Sequence, residues 1–255
     1  MKIATWNVNS LKTRLQHVLD WLATTEPDVL VLQEIKQVTE AFPADTFSEA
    51  GYHGIASGQK AYNGVAVISR TPPLDHVTEF PTFEDPERRV LASTVEGVRV
   101  VNLYVPNGRS VGSEKYEYKL AWLAALREFL ADELRTHDRL VVLGDFNIAP
   151  DDRDVYDPGR WGDGILCSPR EREALGKLIE LGLTDVFRKF DQPEKTFSWW
   201  DYRAAGFRRN AGLRIDLILT NDTMTDACTA SQIDREPRGW ERPSDHTPVI
   251  AEFSI

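Results

Sequence analysis

Hydrophobic residues along this chain fall into two kinds of run. The first kind is short and almost unbroken: Lys2 to Trp6, Val29 to Leu32, Val65 to Ser69, Val90 to Val95, Val98 to Tyr104, Leu140 to Leu143, Leu213 to Thr220 and Val249 to Ile255. Short runs rich in valine and isoleucine, with little polar alternation, predict strands buried on both faces. The second kind recurs every three or four residues, at Leu11, Leu15, Val18, Leu19 and Leu22, and again at Tyr116, Leu120, Leu123, Leu126, Leu130 and Leu134. That period predicts two helices, the longer from about Glu114 to Leu134. A third helix starts at Ser168, with Pro169 at its first position and Glu171 three residues on, the pattern of a capping box. Glu96-Gly97 joins two strands as a hairpin. Residues 35 to 60 read as loop. Strand, helix, strand is the opening of an α/β fold. Helix, buried strand and terminal acid occur twice, ending in Glu34 and in Asp145, which suits one domain over residues 1–255 built from two packed sheets.

The polar residues that punctuate the strand ends carry the chemistry. In Leu140 to Asn147, LVVLGDFN, Gly144 lets the backbone turn and Asp145 and Asn147 follow where the strand emerges. Ligands of open α/β sheets bind at that carboxyl end. Asn7, Glu34, Tyr104, Asp216, Asp245 and His246 stand at comparable places. One acid at a strand end is ordinarily a turn former. Several acids, one histidine and two asparagines at separate strand ends are explained jointly by a single site. Oxygen donors without cysteine suit a hard divalent cation, Mg²⁺ or Mn²⁺, over Zn²⁺. Such a cation and a histidine able to carry charge would stabilise a phosphoryl oxygen during displacement by water.

Composition narrows this picture. The 255 residues include only Cys167 and Cys228, with no paired CxxC spacing, so reduced, inert thiols and a cytoplasmic setting are expected. No charged leader precedes an apolar run at the start, and no run is long enough to span a bilayer. The formal charge of −10 argues against a nucleic-acid partner if spread evenly. It is uneven. From Arg188 to Arg214 there are seven Lys/Arg (Arg188, Lys189, Lys195, Arg203, Arg208, Arg209, Arg214) against three acids, which predicts one basic face on an acidic body.

Seven segments in order, ATWNVNSLK, LVLQEIK, LYVPNG, LGDFN, FSWWDYR, LRIDLIL and PSDHTPV, resemble the exonuclease III family of abasic-site DNA endonucleases, within the endonuclease/exonuclease/phosphatase superfamily. The likeness runs from the first strand to the last. It implies a four-layer α/β sandwich of two packed mixed sheets flanked by helices. It implies a monomeric, Mg²⁺-dependent enzyme that cuts double-stranded DNA 5′ to abasic sites, leaving a 3′-hydroxyl, with 3′-phosphodiesterase and 3′→5′ exonuclease activity. By the same resemblance, Glu34 is the main metal ligand with Asn7 and Asp245 near it, and Asn147, Asp145 and His246 complete the metal and catalytic set. Asp145, helped by Asn147, orients or deprotonates water. His246, held by Asp216, binds the phosphate, and Tyr104 touches the phosphate or the leaving oxygen. Asn107, Arg109 and Lys115 are candidate phosphate contacts, and Trp199, Trp200 and Ile215 candidate walls of a pocket for a base-free sugar. The Gly- and acid-rich loop 157–164 is expected to set the balance between endonuclease and exonuclease action. Other readings are a superfamily phosphoesterase acting on inositol phosphates or sphingomyelin, and a DNA-binding relative without catalysis.

Overall fold

In the computed structural model, which describes residues 1–255, the unbroken apolar runs are strands. In chain order the elements are β1 (Lys2–Asn7), α1 (Leu11–Thr25), β2 (Val29–Gln33), α2 (Ala44–Glu49), β3 (His53–Ser57), β4 (Val65–Ser69), β5 (Leu74–Val77), β6 (Val90–Val95) and β7 (Val98–Tyr104). Then come α3 (Glu114–Thr136), β8 (Leu140–Asp145), α4 (Pro158–Trp161), α5 (Pro169–Ile179), β9 (Thr184–Asp185), β10 (Asp216–Thr220), α6 (Asp222–Ala227), β11 (Cys228–Ile233) and β12 (Val249–Phe253). The predicted capping box of Ser168 and Glu171 forms in full on α5, and at the start of α3 Ser113 accepts from the Tyr116 amide.

The strands make two six-stranded mixed sheets, ordered β11-β12-β1-β2-β4-β3 and β5-β6-β7-β8-β10-β9. At the centre of each lies its one parallel pair, β1 with β2 and β7 with β8. Alternate side chains of the central strands divide between two interfaces, which is why the runs are apolar throughout. Ile3, Val31 and Val67 of one sheet meet Val100, Val141 and Ile218 of the other in the middle of the molecule. On the outer side of the first sheet, Ala4, Leu30 and Ile68 pack beneath Val18 and Leu22 of α1. On the outer side of the second, Val101 and Val142 pack beneath Leu123 and Leu126 of α3 and Leu178 of α5. The result is the expected four-layer α/β sandwich. No helix is long and apolar enough to cross a membrane.

Three expectations need correction. Residues 35 to 60 are not simply loop, since they hold a short helical turn at Thr39–Ala41, α2 and the edge strand β3. A six-residue helix is too short to display a period, and an edge strand with Gly54 in it lacks the apolar continuity of a central one. Gly144 is not a turn: it remains in β8, paired with Leu103 and Leu217. A Cβ there would lie 2.0 Å from the Leu103 carbonyl oxygen, so glycine is required by the close approach of β7.

The basic stretch, thirdly, is only in part a surface feature, since two of its seven cations are used inside the protein. Arg214 is buried and pairs with Asp154 at 2.6 Å and Asp185 at 2.7 Å, and Arg188 also pairs with Asp154. Lys189 donates to the carbonyls of Thr225 and Cys228, and Arg203 is paired with Asp201. Lys189, Lys195, Arg208 and Arg209 are the four of the seven that are exposed without a carboxylate partner.

Gly144→Ala is expected to lower unfolding free energy by more than about 3 kcal/mol, because the clash is with backbone and cannot be relieved by a rotamer change. Urea unfolding checks this, and a loss below about 1 kcal/mol would contradict it.

Candidate active site

The strand ends converge. β1 and β2 run parallel with Asn7 beside Gln33, and β7 and β8 run parallel with Tyr104 beside Asp145. Asp216 opens the antiparallel β10 opposite Asp145. Tyr104, Asp145 and Asp216 therefore stand in one row at one edge of the second sheet. β12 pairs antiparallel with β1, Thr5 against Val249, which sets the preceding Asp245-His246 beside Asn7. Glu34, the first residue past β2, has φ 52°, a left-handed conformation uncommon for glutamate and often found at functional sites.

One side chain spans the two sheets. The Asn7 amide nitrogen donates to Glu34 Oε1 and to Asp145 Oδ2, each at 2.9 Å. Its Oδ1 accepts from the Asn9 backbone at 3.0 Å, so every polar atom of the side chain is engaged. Asp145 is 1 % exposed and accepts the Asn147 backbone N–H on Oδ1 at 2.9 Å. Burial pushes its carboxyl up, with His246 opposing, to about 7.

His246 is held from both sides. Nδ1 donates to Asp216 at 2.9 Å, and Nε2 faces Asp145 Oδ2 at 3.6 Å. Burial works against charge on the ring, but Asp216 and Asp145 outweigh it and push the imidazole up to about 10. His246 is therefore a cation at neutral pH, with one N–H anchored and the other aimed into the cluster. Tyr104 is raised well above the usual phenol range by burial and by the carboxylates of Glu34 and Asp145, so it remains a neutral O–H donor. Arg89 stacks 4.7 Å from its ring centroid.

One ligand atom from each of Glu34, Asp145 and His246 lies within 4.8 Å of the others. With Nδ1 committed to Asp216, the His246 ring turns Nε2 towards this group. Glu34 and Asp145 supply oxygen donors, which fit a hard divalent cation. Asp245 is nearby but occupied, accepting Asn9 Nδ2 at 2.9 Å and Trp199 Nε1 at 3.0 Å. As the residues stand, it lies outside the group of three.

The expected substrate contacts divide. Asn107, Arg109 and Lys115 line, with Tyr104, a cleft of about 910 Å³. Asn107 also donates to Asn147 Oδ1 at 3.0 Å. Trp199 is half-buried beside Asp245. Trp200 and Ile215, by contrast, are 0 % and 1 % exposed: Trp200 packs against Phe207 and Ile215 joins Leu213 and Val155. The idea that these two form a substrate-facing wall is corrected, because neither presents surface. Trp161 of the 157–164 loop instead packs edge-on to Trp199, centroids 6.4 Å apart.

Three residues escaped the sequence reading. Ser198 donates to Asp216 at 2.6 Å, and Ser244 donates to the Asn7 carbonyl at 2.6 Å while accepting the His246 backbone N–H. Lys119 is the third. Serines inside recognisable motifs could have been nominated; a lysine on the apolar side of a helix gave only its misplacement as a sign.

The sequence profile of the endonuclease/exonuclease/phosphatase family matches residues 4–246. Exodeoxyribonuclease III of Haemophilus influenzae is 36 % identical over 266 residues, covering 99 % of this chain and all of that one. The chain belongs to the exonuclease III family. Among solved structures of similar proteins, the 3′-5′ exonuclease NExo of Neisseria meningitidis is 50 % identical with a TM-score of 0.98, covering both chains fully. An AP endonuclease from Archaeoglobus fulgidus is 38 % identical with a TM-score of 0.95, again over both full chains. A member of the exonuclease III family is a DNA-repair nuclease, and carboxylates beside a histidine are groups suited to hydrolysing a phosphodiester.

Asn7→Asp sets three carboxylates together and removes the shared donor. It is expected to cost about 2–4 kcal/mol of stability in EDTA, with part regained on adding Mg²⁺ as the ion neutralises the cluster. An unfolding midpoint unchanged by the substitution would contradict this.

Proposed function

We propose that this protein hydrolyses the backbone of double-stranded DNA with Mg²⁺ or Mn²⁺ as cofactor. It cuts 5′ to abasic sites to leave a 3′-hydroxyl, and removes blocking groups and nucleotides from 3′ ends. The observation that carries this reading is the convergence of Glu34, Asp145 and His246, with Tyr104, the neighbour of Asp145, lining a cleft together with Asn107, Arg109 and Lys115.

Glu34, with Asp145, would hold the cation. Asn7 keeps the two carboxylates at a fixed spacing, and Asp245 stands next to them in reserve. Once bound, the cation supplies positive charge where negative charge grows on the phosphoryl oxygens. Asp145, buried and more basic than an ordinary carboxylate, takes the proton of the attacking water. The Asn147 N–H pins Oδ1 of that carboxylate and so fixes its direction. His246 donates its Nε2–H to a non-bridging phosphoryl oxygen, and Asp216 keeps the ring charged and oriented. Tyr104, protonated throughout, donates to the phosphate or the leaving oxygen. Asn107, Arg109 and Lys115 hold neighbouring phosphates. The completeness of this set speaks against a relative that only binds DNA. The full-length likeness to DNA nucleases favours DNA over inositol phosphates and sphingomyelin.

Processing of 3′ ends is favoured over abasic-site incision by two observations. The half-identical Neisseria protein is described as a 3′-5′ exonuclease and as a 3′ phosphatase bound to a product DNA hairpin. Here Trp200 and Ile215 are buried, so only Trp199 remains to hold a flipped sugar.

Glu34→Ala and Asp145→Asn are each expected to lower turnover by at least about 10³-fold. EDTA should stop the wild type and Mg²⁺ restore it. End-labelled duplexes carrying an internal abasic-site analogue or a 3′-phosphate at a nick give the readout. Phosphate release from inositol phosphates with intact DNA would refute the reading. Trp161→Ala, which uncovers Trp199, is expected to shift the ratio of abasic-site incision to 3′-end processing by more than about threefold. An unchanged ratio would remove the 157–164 loop from any part in that balance.

A further inference from the structure

We propose that Lys119 is a positioning residue of the active site, whose buried ammonium clamps the main-chain carbonyls of Asn107 and Asn147 and thereby aims their side-chain amides. The phosphodiesterase reading enters only through one of the measurements below.

Position 119 lies on the inner side of α3, where Trp122, Leu123 and Leu126 are core. A lysine there with no exposed surface needs a reason. Its Nζ donates to the Asn147 carbonyl at 2.7 Å, to the Asn107 carbonyl at 3.2 Å and to Glu171 Oε1 at 2.5 Å. An ammonium has three protons, and all three are used.

Two of those bonds reach loops that share no secondary structure, one after β7 and one after β8. Asn147 has φ 49°, a left-handed conformation that asparagine tolerates. Its N–H goes to Asp145 Oδ1, its Nδ2 donates to the Val105 carbonyl, and its Oδ1 accepts from Asn107 Nδ2. The chain of contacts therefore runs from Lys119 through two carbonyls to a pair of linked amides and on to the carboxylate that faces the reaction. Room for the lysine is also built in. A Cβ at Gly108 would lie 3.1 Å from Lys119 Cδ and 3.0 Å from Ile165 Cδ1.

Charge pairing alone would not demand this arrangement. A buried ion pair can be replaced by neutral groups with little loss of stability, and Glu171 is already satisfied by the N–H groups of Leu166 and Ser168 and the Ser168 hydroxyl. Only the two carbonyl bonds need a donor at this point.

The double variant Lys119→Met/Glu171→Gln removes both charges and so avoids stranding a buried carboxylate. Its melting temperature is expected to stay within a few degrees of wild type, while kcat on a 3′-phosphate nick falls about 10–100-fold and KM changes less than about threefold. Glu171→Gln alone keeps both carbonyl bonds and should retain kcat within about threefold. In ¹⁵N NMR spectra the side-chain amide signals of Asn107 and Asn147 should move in the double variant, and that of Asn221 should not. Wild-type kcat together with unmoved Asn signals in the double variant would overturn the proposal. So would a loss in Glu171→Gln equal to that of the double variant, and the single variant stays decisive if the double one fails to fold. If the wild type itself leaves DNA intact, the function fails instead, and the NMR shifts still judge the clamp.

Discussion

Glu34 and Asp145 belong to different sheets and approach each other in a place from which water is largely excluded. Like charges so placed repel. Asn7 resolves the conflict by donating both protons of one amide, one to each carboxylate. His246 adds a fixed positive charge beside Asp145, itself secured by Asp216. Positions of the strands, the choice of asparagine and not aspartate at the end of β1, and the long reach of the final loop back to β1 all serve this balance. Ser244 completes it by tying that loop to the Asn7 carbonyl.

The central architecture was legible because strands buried on two sides leave an unmistakable signature, and because parallel neighbours end at the same edge. Polar residues at the ends of such strands point to Asn7, Glu34, Tyr104 and Asp145 as one site from the sequence alone. Elements at the rim were illegible for the matching reason. β3 and β5 cover only one side and are short, so their sequences resemble loop.

Side-chain partners were the other blind spot. Arg214 looks in sequence like a free cation next to the pocket, yet its carboxylates lie at Asp154 and Asp185. Nothing local announces a pairing across sixty positions. Trp200 shows the same limit: an aromatic doublet does not say which ring faces outward, and only the packing of Phe207 over Trp200 assigns Trp199 the outer place. Lys119 went unnoticed because two of its three acceptors are main-chain atoms, which no residue pattern reveals.

The aliphatic layer between the sheets acquires a second duty from this arrangement. Val31 is two residues before Gln33 and the glutamate that follows, and Val141 is four before Asp145; side chains of this kind hold the two β-layers apart. The thickness of that greasy slab is thus a ruler for ionic spacing. A change in core volume, ordinarily felt as stability, would here be felt as a different gap between the two carboxylates.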